Sequence, residues 1–332
     1  LDTAHTSYCI GIVDEENFVG HIYYGRKLTE DNLVYLLRTM EAPFVPSQNN
    51  RDRNSFLDTF PTEYTGNNVG DYRESSFAVR TLGGHAGVSL SYVSHRIYDG
   101  KEGLEGLPAT FGKESECKTL ELTCEDSVLQ LQVILSYSVF ADNDAIARSV
   151  KVVNKAKEPI YLTKVMSVCM DMDNDDYEMI TLHGSWARER AIQTRPVLRG
   201  KQSVSSIRGE SSHQEHPFMA WKQKNTTEEA GEVYAMNFIY SGNFLAQIEA
   251  DQFGSMRAMM GIHPENFCWK LEAGEQFQAP EVVCVYSAEG IGGMTRCFHD
   301  LYRNHLIRGE YKDKKRPILI NNWEATYFDF NT

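Results

Sequence analysis

Long apolar runs are absent from this sequence of 332 residues. No stretch reaches the roughly eighteen consecutive apolar residues that a transmembrane helix needs. The amino-terminal residues also lack the charged-then-apolar order of a secretory signal. From these two absences we expect a cytoplasmic protein that has no membrane partner.

An excess of basic residues is absent as well. The chain carries 33 Lys and Arg against 46 Asp and Glu, a formal net charge of −13. Nucleic acids and anionic membranes are bound through basic surfaces, so this balance excludes both as expected partners. A neutral ligand such as a sugar is compatible with the negative charge. The charge is also explained if it serves only to keep the protein soluble.

Cysteine is present in an odd number, seven, without any Cys-x-x-Cys pair. Cys169, Cys268 and Cys284 stand inside apolar runs. We therefore expect the thiols to be small buried side chains in a reducing compartment, with no disulfide framework.

Motifs for metals and cofactors are incomplete. His213 and His216 have a spacing found in zinc sites, but no cysteine or acid motif completes the set, so we expect a loop held by hydrogen bonds. The acidic run 171–176 lacks the glycine and glutamate of a calcium loop, and we expect a solvated hairpin there. No glycine-rich phosphate loop and no Gly-x-Ser-x-Gly elbow occurs. The sequence therefore predicts no metal and no cofactor.

Alternation with a period of two residues dominates what is present. Short alternating runs separated by turn-rich gaps indicate antiparallel sheets packed face to face. In the run 161–169 both faces are apolar, which predicts a strand covered on both sides. The predicted strands are 7–13, 18–24, 76–82, 88–97, 118–124, 129–139, 150–152, 161–169, 233–240, 245–251 and 282–286.

Helical spacing appears in two places. Apolar side chains recur at helical intervals from Met294 to His305, and Gly309 is placed where a C-cap glycine is expected. A weaker helix is predicted over 30–39, with Thr29 as its N-cap. The charged stretch 311–317 follows the first helix and reads as a linker. We therefore predict a β-domain over 1–288, a helix and linker over 289–316, and a new element over 317–332.

The last sixteen residues are the most informative. After Pro317, three apolar residues predict a short buried strand, which is followed by two amides, Trp323 and an acid. In a β/α barrel, active groups stand where strands end. A lone parallel strand leaves its own backbone groups unpaired. We therefore expect this chain to be the front part of a longer enzyme.

This segment, PILINNWEATYFDFN (317–331), resembles the first barrel strand of bacterial α-galactosidases of glycoside hydrolase family thirty-six. Further segments resemble the large N-terminal β-domain of that family, and together they span nearly the whole chain in order. They are LDTFPTEY (57–64), HRIY (95–98), GLPAT (106–110), GSWARER (184–190), RGESSHQ (208–214), YSGNFLA (240–246) and HDLYR (299–303).

The resemblance implies a mainly β fold: a large antiparallel β-supersandwich, then a helical linker, then the first strand of a (β/α)8 barrel. It implies a retaining glycosidase that removes terminal α-galactosyl groups from raffinose-type oligosaccharides or melibiose, in a full-length enzyme that is a homo-oligomer, a tetramer. The family's two catalytic aspartates come from later barrel strands. Lys312-Asp313 and Asn174-Asp175-Asp176 do not fit those motifs, so we expect no catalytic residue in this chain and no turnover by it alone.

Two groups of substrate-binding candidates are implied by the same resemblance. Trp323 is expected to line the sugar pocket, since an indole face packs on the C–H face of galactose. The alternative for Trp323 is a core side chain at a domain interface. Asp52, Arg53 and Asp58 lie in a polar loop of the β-domain that reaches toward a barrel mouth in this family. The alternative there is an Asp–Arg clamp within the loop.

Two other functions remain open from the sequence. A non-catalytic carbohydrate-binding β-domain would bind galactosides unaided. A related activity on the same scaffold, an α-N-acetylgalactosaminidase or a galactosyltransferase, would depend on residues beyond Thr332.

Overall fold

The alternating runs form strands in the computed structural model, which describes residues 1–13, 17–30, 32–37, 57, 59–67 and 70–331. The strands of these residues are β1 (Thr6–Val13), β2 (Phe18–Arg26), β3 (Phe77–Thr81), β4 (Ser91–Asp99), β5 (Cys117–Asp126), β6 (Leu131–Phe140), β7 (Ala145–Asn154), β8 (Ile160–Met172), β9 (Glu178–Ser185), β10 (Arg188–Pro196), β11 (Gly200–Ser206), β12 (Glu215–Lys222), β13 (Val233–Ile239), β14 (Phe244–Ala250), β15 (Met256–Ile262), β16 (Trp269–Leu271), β17 (Gln276–Gln278) and β18 (Glu281–Ser287).

Helices are few in the described part of the chain. They are a 3₁₀ turn (Val34–Leu36), α1 (Gly290–His305) and α2 (Trp323–Thr326). The weak helix predicted over 30–39 is represented there by the 3₁₀ turn alone. The C-cap prediction for Gly309 is wrong: the N–H groups of Leu306 and Ile307 both bond to the carbonyl of Tyr302, so the helix closes earlier. No helix in these ranges is long and apolar enough to span a membrane.

Two large antiparallel sheets and a hairpin organise the described strands. A ten-stranded sheet has the order β10-β9-β12-β13-β18-β7-β6-β5-β4, with β17 also paired to β7. A six-stranded sheet has the order β11-β14-β15-β8-β16, with β3 also paired to β8. The hairpin β1-β2 forms a third, two-stranded sheet. The prediction of a mainly β fold of antiparallel sheets is therefore confirmed.

The main core lies between the sheets. Alternate residues of β6 and β7, including Leu135 and Val152, pack in one cluster with Met170 of β8 and Ile248 of β14. Strand β8 is buried without interruption from Val165 to Met172, so the prediction that it is covered on both faces is confirmed. Burial on both faces explains why this strand lacks the polar alternation of its neighbours.

Helix α1 covers the outer face of the ten-stranded sheet. Small side chains such as Ala145, Ala147 and Ala235 leave room on that face, and Phe298 and Leu301 of the helix pack into it. At the start of α1, Gly290 has a φ of 70°, and a Cβ there would stand 2.5 Å from the carbonyl oxygen of Thr227. A residue without a side chain is therefore required where the chain turns from β18 into the helix.

A buried ion pair crosses the core between the hairpin and the ten-stranded sheet. The Arg148 Nη2 and Glu63 Oε1 atoms are 2.7 Å apart, and the two side chains are 2% and 0% exposed. The hydroxyls of Tyr8 and Tyr137 donate to Glu63, and Arg148 also donates to the Tyr8 hydroxyl. Burial alone would raise the pKa of Glu63, but Arg148 and a hydrogen bond from His21 lower it. The pair is therefore charged and fully hydrogen-bonded, which buried charges require.

The carboxyl-terminal segment joins neither sheet. Ile318, Leu319 and Ile320 are 97%, 89% and 84% exposed, and residues 317–320 are not a strand. The prediction of a buried strand is thus wrong for the chain as it stands, because an extended backbone becomes a strand only beside a neighbour that accepts its hydrogen bonds. The boundaries 1–288, 289–316 and 317–332 stay a prediction.

Replacing Glu63 by glutamine leaves the Arg148 guanidinium buried without its counter-charge. We expect the free energy of unfolding to fall by about 3–5 kcal/mol, the loss typical of a broken buried pair. Urea unfolding measures it, with Glu102→Gln as control, because the Glu102 pair with Arg96 is exposed. A loss no larger than that of the control would contradict this account.

Candidate functional site

A second buried ionic cluster lies where β8 ends. Arg257 of β15 binds Asp171 through two atoms: Nε is 2.7 Å from Oδ1 and Nη2 is 2.8 Å from Oδ2. The same Nη2 is 2.8 Å from Asp71 Oδ2, and Nη1 donates to the carbonyl of Glu74 at 3.0 Å. Arg257 therefore joins residues 71–74 to the six-stranded sheet, as does Glu249 of β14, which accepts from the N–H of Glu74.

Arg73 extends this cluster to the main chain of Leu57 and Phe60. Its Nε is 3.0 Å from Asp71 Oδ1 and its Nη1 is 3.4 Å from Asp171 Oδ2. Its Nη2 donates to the carbonyls of Leu57 at 3.0 Å and Phe60 at 2.6 Å. We call Arg73, Arg257, Asp71 and Asp171 the arginine–aspartate cluster. It fixes the main chain at two positions that bracket Asp58 in the sequence.

Electrostatics in the cluster favour charged carboxylates. Burial alone would raise the pKa of Asp171, but Arg257 and Arg73, with a backbone N–H from Thr62, hold it below its ordinary value. Burial would lower the pKa of Arg257, and the carboxylate of Asp171 raises it well above its ordinary value. Two cations and two anions therefore balance one another in a water-poor site.

The position of Asp171 corrects one prediction. The run 171–176 was expected to be a solvated hairpin, yet Asp171 is buried, because β8 continues through Met172. Only the following residues, such as Asp173 and Asp176, are exposed. The sequence contained a signal for this burial, because Asp171 directly follows a long apolar run. A buried acid at such a position needs a charged or hydrogen-bonding partner.

A groove of about 550 Å³ lies beside the arginine–aspartate cluster. Its walls include the aromatic rings of Tyr23, Tyr177 and Phe253, and Arg73 and Asp173 supply polar atoms. Thr59 and Pro61, close to Asp58 in sequence, form another part of the lining. Aromatic faces together with hydrogen-bonding groups suit a neutral, hydroxyl-rich ligand.

The predicted site residues fall into two groups. Asp52, Arg53 and Asp58 lie outside the described residues. Trp323 lies at the start of α2, where it is 48% exposed and its ring centroid is 5.2 Å from that of Tyr327 and 5.1 Å from that of Phe328. The structure therefore presents an exposed aromatic group at the carboxyl-terminal end. It does not test the role of these residues.

The expected cysteine environment is partly wrong. Cys169 and Cys284 are buried, as predicted, and burial raises the pKa of each thiol to about 12. Cys268, however, is exposed, because it precedes the short edge strand β16 and lies outside the core. All seven thiols are free. Within the described ranges, no three His, Cys, Asp or Glu side chains are grouped as metal ligands.

The fold defines the class: a β-sandwich domain built from two large antiparallel sheets. The family model for the glycosyl hydrolase family 36 N-terminal domain matches residues 17–272, and the Melibiase model matches residues 276–332. The chain belongs to glycosyl hydrolase family 36. The family resemblance inferred from the sequence is therefore confirmed.

Named relatives agree with the family. Alpha-galactosidase AgaA of Geobacillus stearothermophilus is 45% identical over 315 residues, which is 95% of this chain and 43% of that protein. Alpha-galactosidase Mel36A of Lactobacillus acidophilus is 40% identical over all of this chain and 45% of its own length. The chain thus spans less than half the length of these relatives.

Solved structures show the same fold. The crystal structure of AgaA superposes with a TM-score of 0.95 at 43% identity, covering 100% of this chain and 46% of that one. Variants of AgaA have been crystallised in complex with raffinose and with stachyose. The prediction of a family β-supersandwich is confirmed by this agreement.

Acid should weaken the cluster through Asp171. Because its pKa is lowered on folding, Asp171 stabilises the protein above the ordinary carboxyl pKa of about 4, and this contribution is lost as the pH falls through its lowered value. We expect the free energy of unfolding to decline less steeply below pH 5 in Asp171→Asn than in the wild type. Urea titrations at several pH values measure this slope, with the exposed Asp173→Asn as control. Equal slopes in wild type and Asp171→Asn would be inconsistent with the charge assignment.

Proposed function

We propose that this chain is the N-terminal part of a retaining α-galactosidase that hydrolyses terminal α-galactosyl groups of raffinose-type oligosaccharides or melibiose. The observation that carries the proposal is the match of residues 276–332 to the Melibiase model, in the same chain as the family's N-terminal domain. The relatives that cover the chain are α-galactosidases, and AgaA variants bind raffinose and stachyose.

The exposed carboxyl-terminal segment supports a barrel beyond the β-domain. Three adjacent large apolar side chains, Ile318 to Ile320, are almost fully exposed, and Phe328 is 84% exposed. A folded protein seldom leaves such a contiguous patch uncovered, so a further layer of structure is the natural cover. In this proposal residues 317–320 become the first strand of a (β/α)8 barrel whose later strands carry the two catalytic carboxyl groups.

Within the full-length enzyme, Trp323 supplies the aromatic floor for galactose, and Asp52, Arg53 and Asp58 contact sugar hydroxyls. A retaining enzyme holds its nucleophile and its acid/base about 5 Å apart. Neither Asp313, in an exposed linker, nor Asp175 and Asp176, in the loop after β8, is placed on a barrel strand. We therefore propose that later barrel strands supply both catalytic groups. We further propose that the full-length enzyme is a cytoplasmic homo-oligomer.

The isolated chain should not hydrolyse an aryl α-galactoside, whereas the full-length enzyme should turn it over. The physical reason is that the two carboxyl groups of the displacement reaction are missing from the chain. A continuous assay of released phenolate measures this, with the full-length enzyme as the positive control. Saturable activity of the purified chain would refute the assignment of the catalytic groups.

Substitutions in the full-length enzyme should act on substrate affinity. We expect Trp323→Ala and Asp58→Ala each to raise the KM for raffinose by about tenfold, since each removes roughly 1.4 kcal/mol of contact with the sugar. Steady-state kinetics measures this, and Trp269→Ala is the matched control, because Trp269 is 50% exposed and lies on β16. An unchanged KM for either variant would remove that residue from the site.

A non-catalytic carbohydrate-binding domain is the second candidate, and the groove beside the arginine–aspartate cluster favours it. Such a domain binds galactose without a barrel. Calorimetry on the chain alone separates the two functions: measurable affinity for galactose supports the binding domain, and none supports a part of an enzyme.

A further inference from the structure

We propose that strand β4 is a self-association surface, which pairs antiparallel with β4 of a second copy of this chain and joins two ten-stranded sheets into one. The pair is symmetric about a two-fold axis at Ile97. The inference goes beyond the proposed function, because it is argued from the geometry and chemistry of a sheet edge and assumes nothing about the activity.

Strand β4 ends the ten-stranded sheet with one side unpaired. It is bonded to β5 along its whole length, and no other strand within the described ranges pairs with it. The N–H of Tyr92 donates to the carbonyl of Asn17, so only the first part of the free edge is covered. Every residue from Val93 to Ile97 is exposed, and Ile97 is 66% exposed. The unpaired backbone groups of such an edge are a template for another strand.

The opposite end of the same sheet is protected from pairing. Strand β10 has a register shift between Arg188 and Ala191, and Arg190 within that shift has a φ of 58°. The strand ends on Pro196, which has no N–H to donate. Bulges and prolines are features that keep free edges from pairing. Beyond the register shift near its own start, β4 runs regularly to Asp99 without a proline.

The charges on β4 are already paired within the chain. The Arg96 Nε atom is 2.7 Å from Glu121 Oε2, and the Arg96 guanidinium lies 4.7 Å from the ring centroid of Tyr98. The carboxylate of Asp99 is 3.5 Å from the Lys118 ammonium group. Glu121 and Lys118 belong to β5, so they draw these charged groups toward β5. A second copy therefore meets an edge on which opposite charges are already matched.

The sequence of β4 is complementary to itself when two copies run antiparallel about Ile97. Ile97 then faces Ile97 of the second copy, which forms an apolar pair on the axis. Arg96 faces Tyr98 of the second copy, a cation beside an aromatic ring. His95 faces Asp99 of the second copy, an imidazole beside a carboxylate. Directly opposite pairs of these kinds stabilise neighbouring strands, and the two-fold axis forms each unlike pair twice.

Neighbouring registers lose these pairs. A two-fold axis at Arg96 would set two guanidinium groups against each other, and an axis at Tyr98 would set Ile97 against Asp99. Like charges directly opposite one another destabilise a sheet. The side chains therefore select the axis at Ile97. A single short edge buries less surface than the roughly 1,200 Å² of a stable interface, so we expect the chain alone to dimerise weakly and reversibly.

The first experiment changes the residue on the axis and measures dimerisation of the chain by sedimentation velocity. Ile97→Lys and Ile97→Glu each place like charges face to face, and we expect each to raise the dissociation constant at least about tenfold. Mixing the two variants should restore the dimer, because opposite charges then face each other across the axis. Ile192→Lys is the matched control, since Ile192 is 73% exposed on β10, and it should leave the dissociation constant unchanged.

The second experiment reads proximity in the full-length enzyme. Ile97→Cys and Ile192→Cys are made in a Cys268→Ser background, which removes the exposed thiol. We expect mild oxidation to join two copies through position 97 and not through position 192, since opposite side chains of paired strands have Cβ atoms about 4.5–5.5 Å apart.

Three results would each overturn the inference. They are a chain that stays monomeric at millimolar concentration, a mixture of Ile97→Lys and Ile97→Glu that does not dimerise, and cross-linking no greater at position 97 than at position 192. None of them changes the proposed hydrolysis of galactosides, which the activity assays test separately.

Discussion

The contact on which this architecture depends most is the bidentate pair between Arg257 and Asp171. It joins the adjacent strands β15 and β8 where the six-stranded sheet meets residues 59–67 and 70–76. Two buried charges are costly to remove from water, and they persist only where the surrounding hydrogen bonds are complete. Completeness here comes from Asp71, Arg73, Thr62 and Glu74, all in one stretch of chain. Thr62 and residues 71–74 are therefore held in place by the charges that they help to neutralise.

A second network performs the same task close by, because Arg148 donates to the carbonyl of Cys169, two residues before Asp171 on β8. Glu63, from the same stretch of chain, pairs with Arg148 of β7 and accepts from Tyr8 of the hairpin. Residues 59–67 and 70–76 thus bind both large sheets and the hairpin through buried polar groups. This segment also reaches the groove, since Arg73 and Asp171 are part of its lining.

The strands with one buried face could be predicted from the sequence, because such strands alternate polar and apolar residues. It missed β10, which is exposed along its length and has no apolar face, and β15, which is buried from Met256 to Gly261 and therefore shows no alternation of polar and apolar residues. It also missed the roles of Arg73 and Arg257, because Asp71 and Arg257 are 186 residues apart and no local pattern connects them. The site role of Trp323 was predicted from its family motif and stays a prediction, since the structure shows an exposed ring at the start of α2.

The central proposal is that residues 317–320 form a barrel strand only in the full-length enzyme, where neighbouring strands are present to pair with them. Hydrogen exchange at the amides of Ile318, Leu319 and Ile320 tests it most directly, in the chain alone and in the full-length enzyme. The account predicts rates close to those of an unfolded peptide in the chain alone and strong protection in the full-length enzyme. Protection already present in the isolated chain, or none in the full-length enzyme, would contradict it.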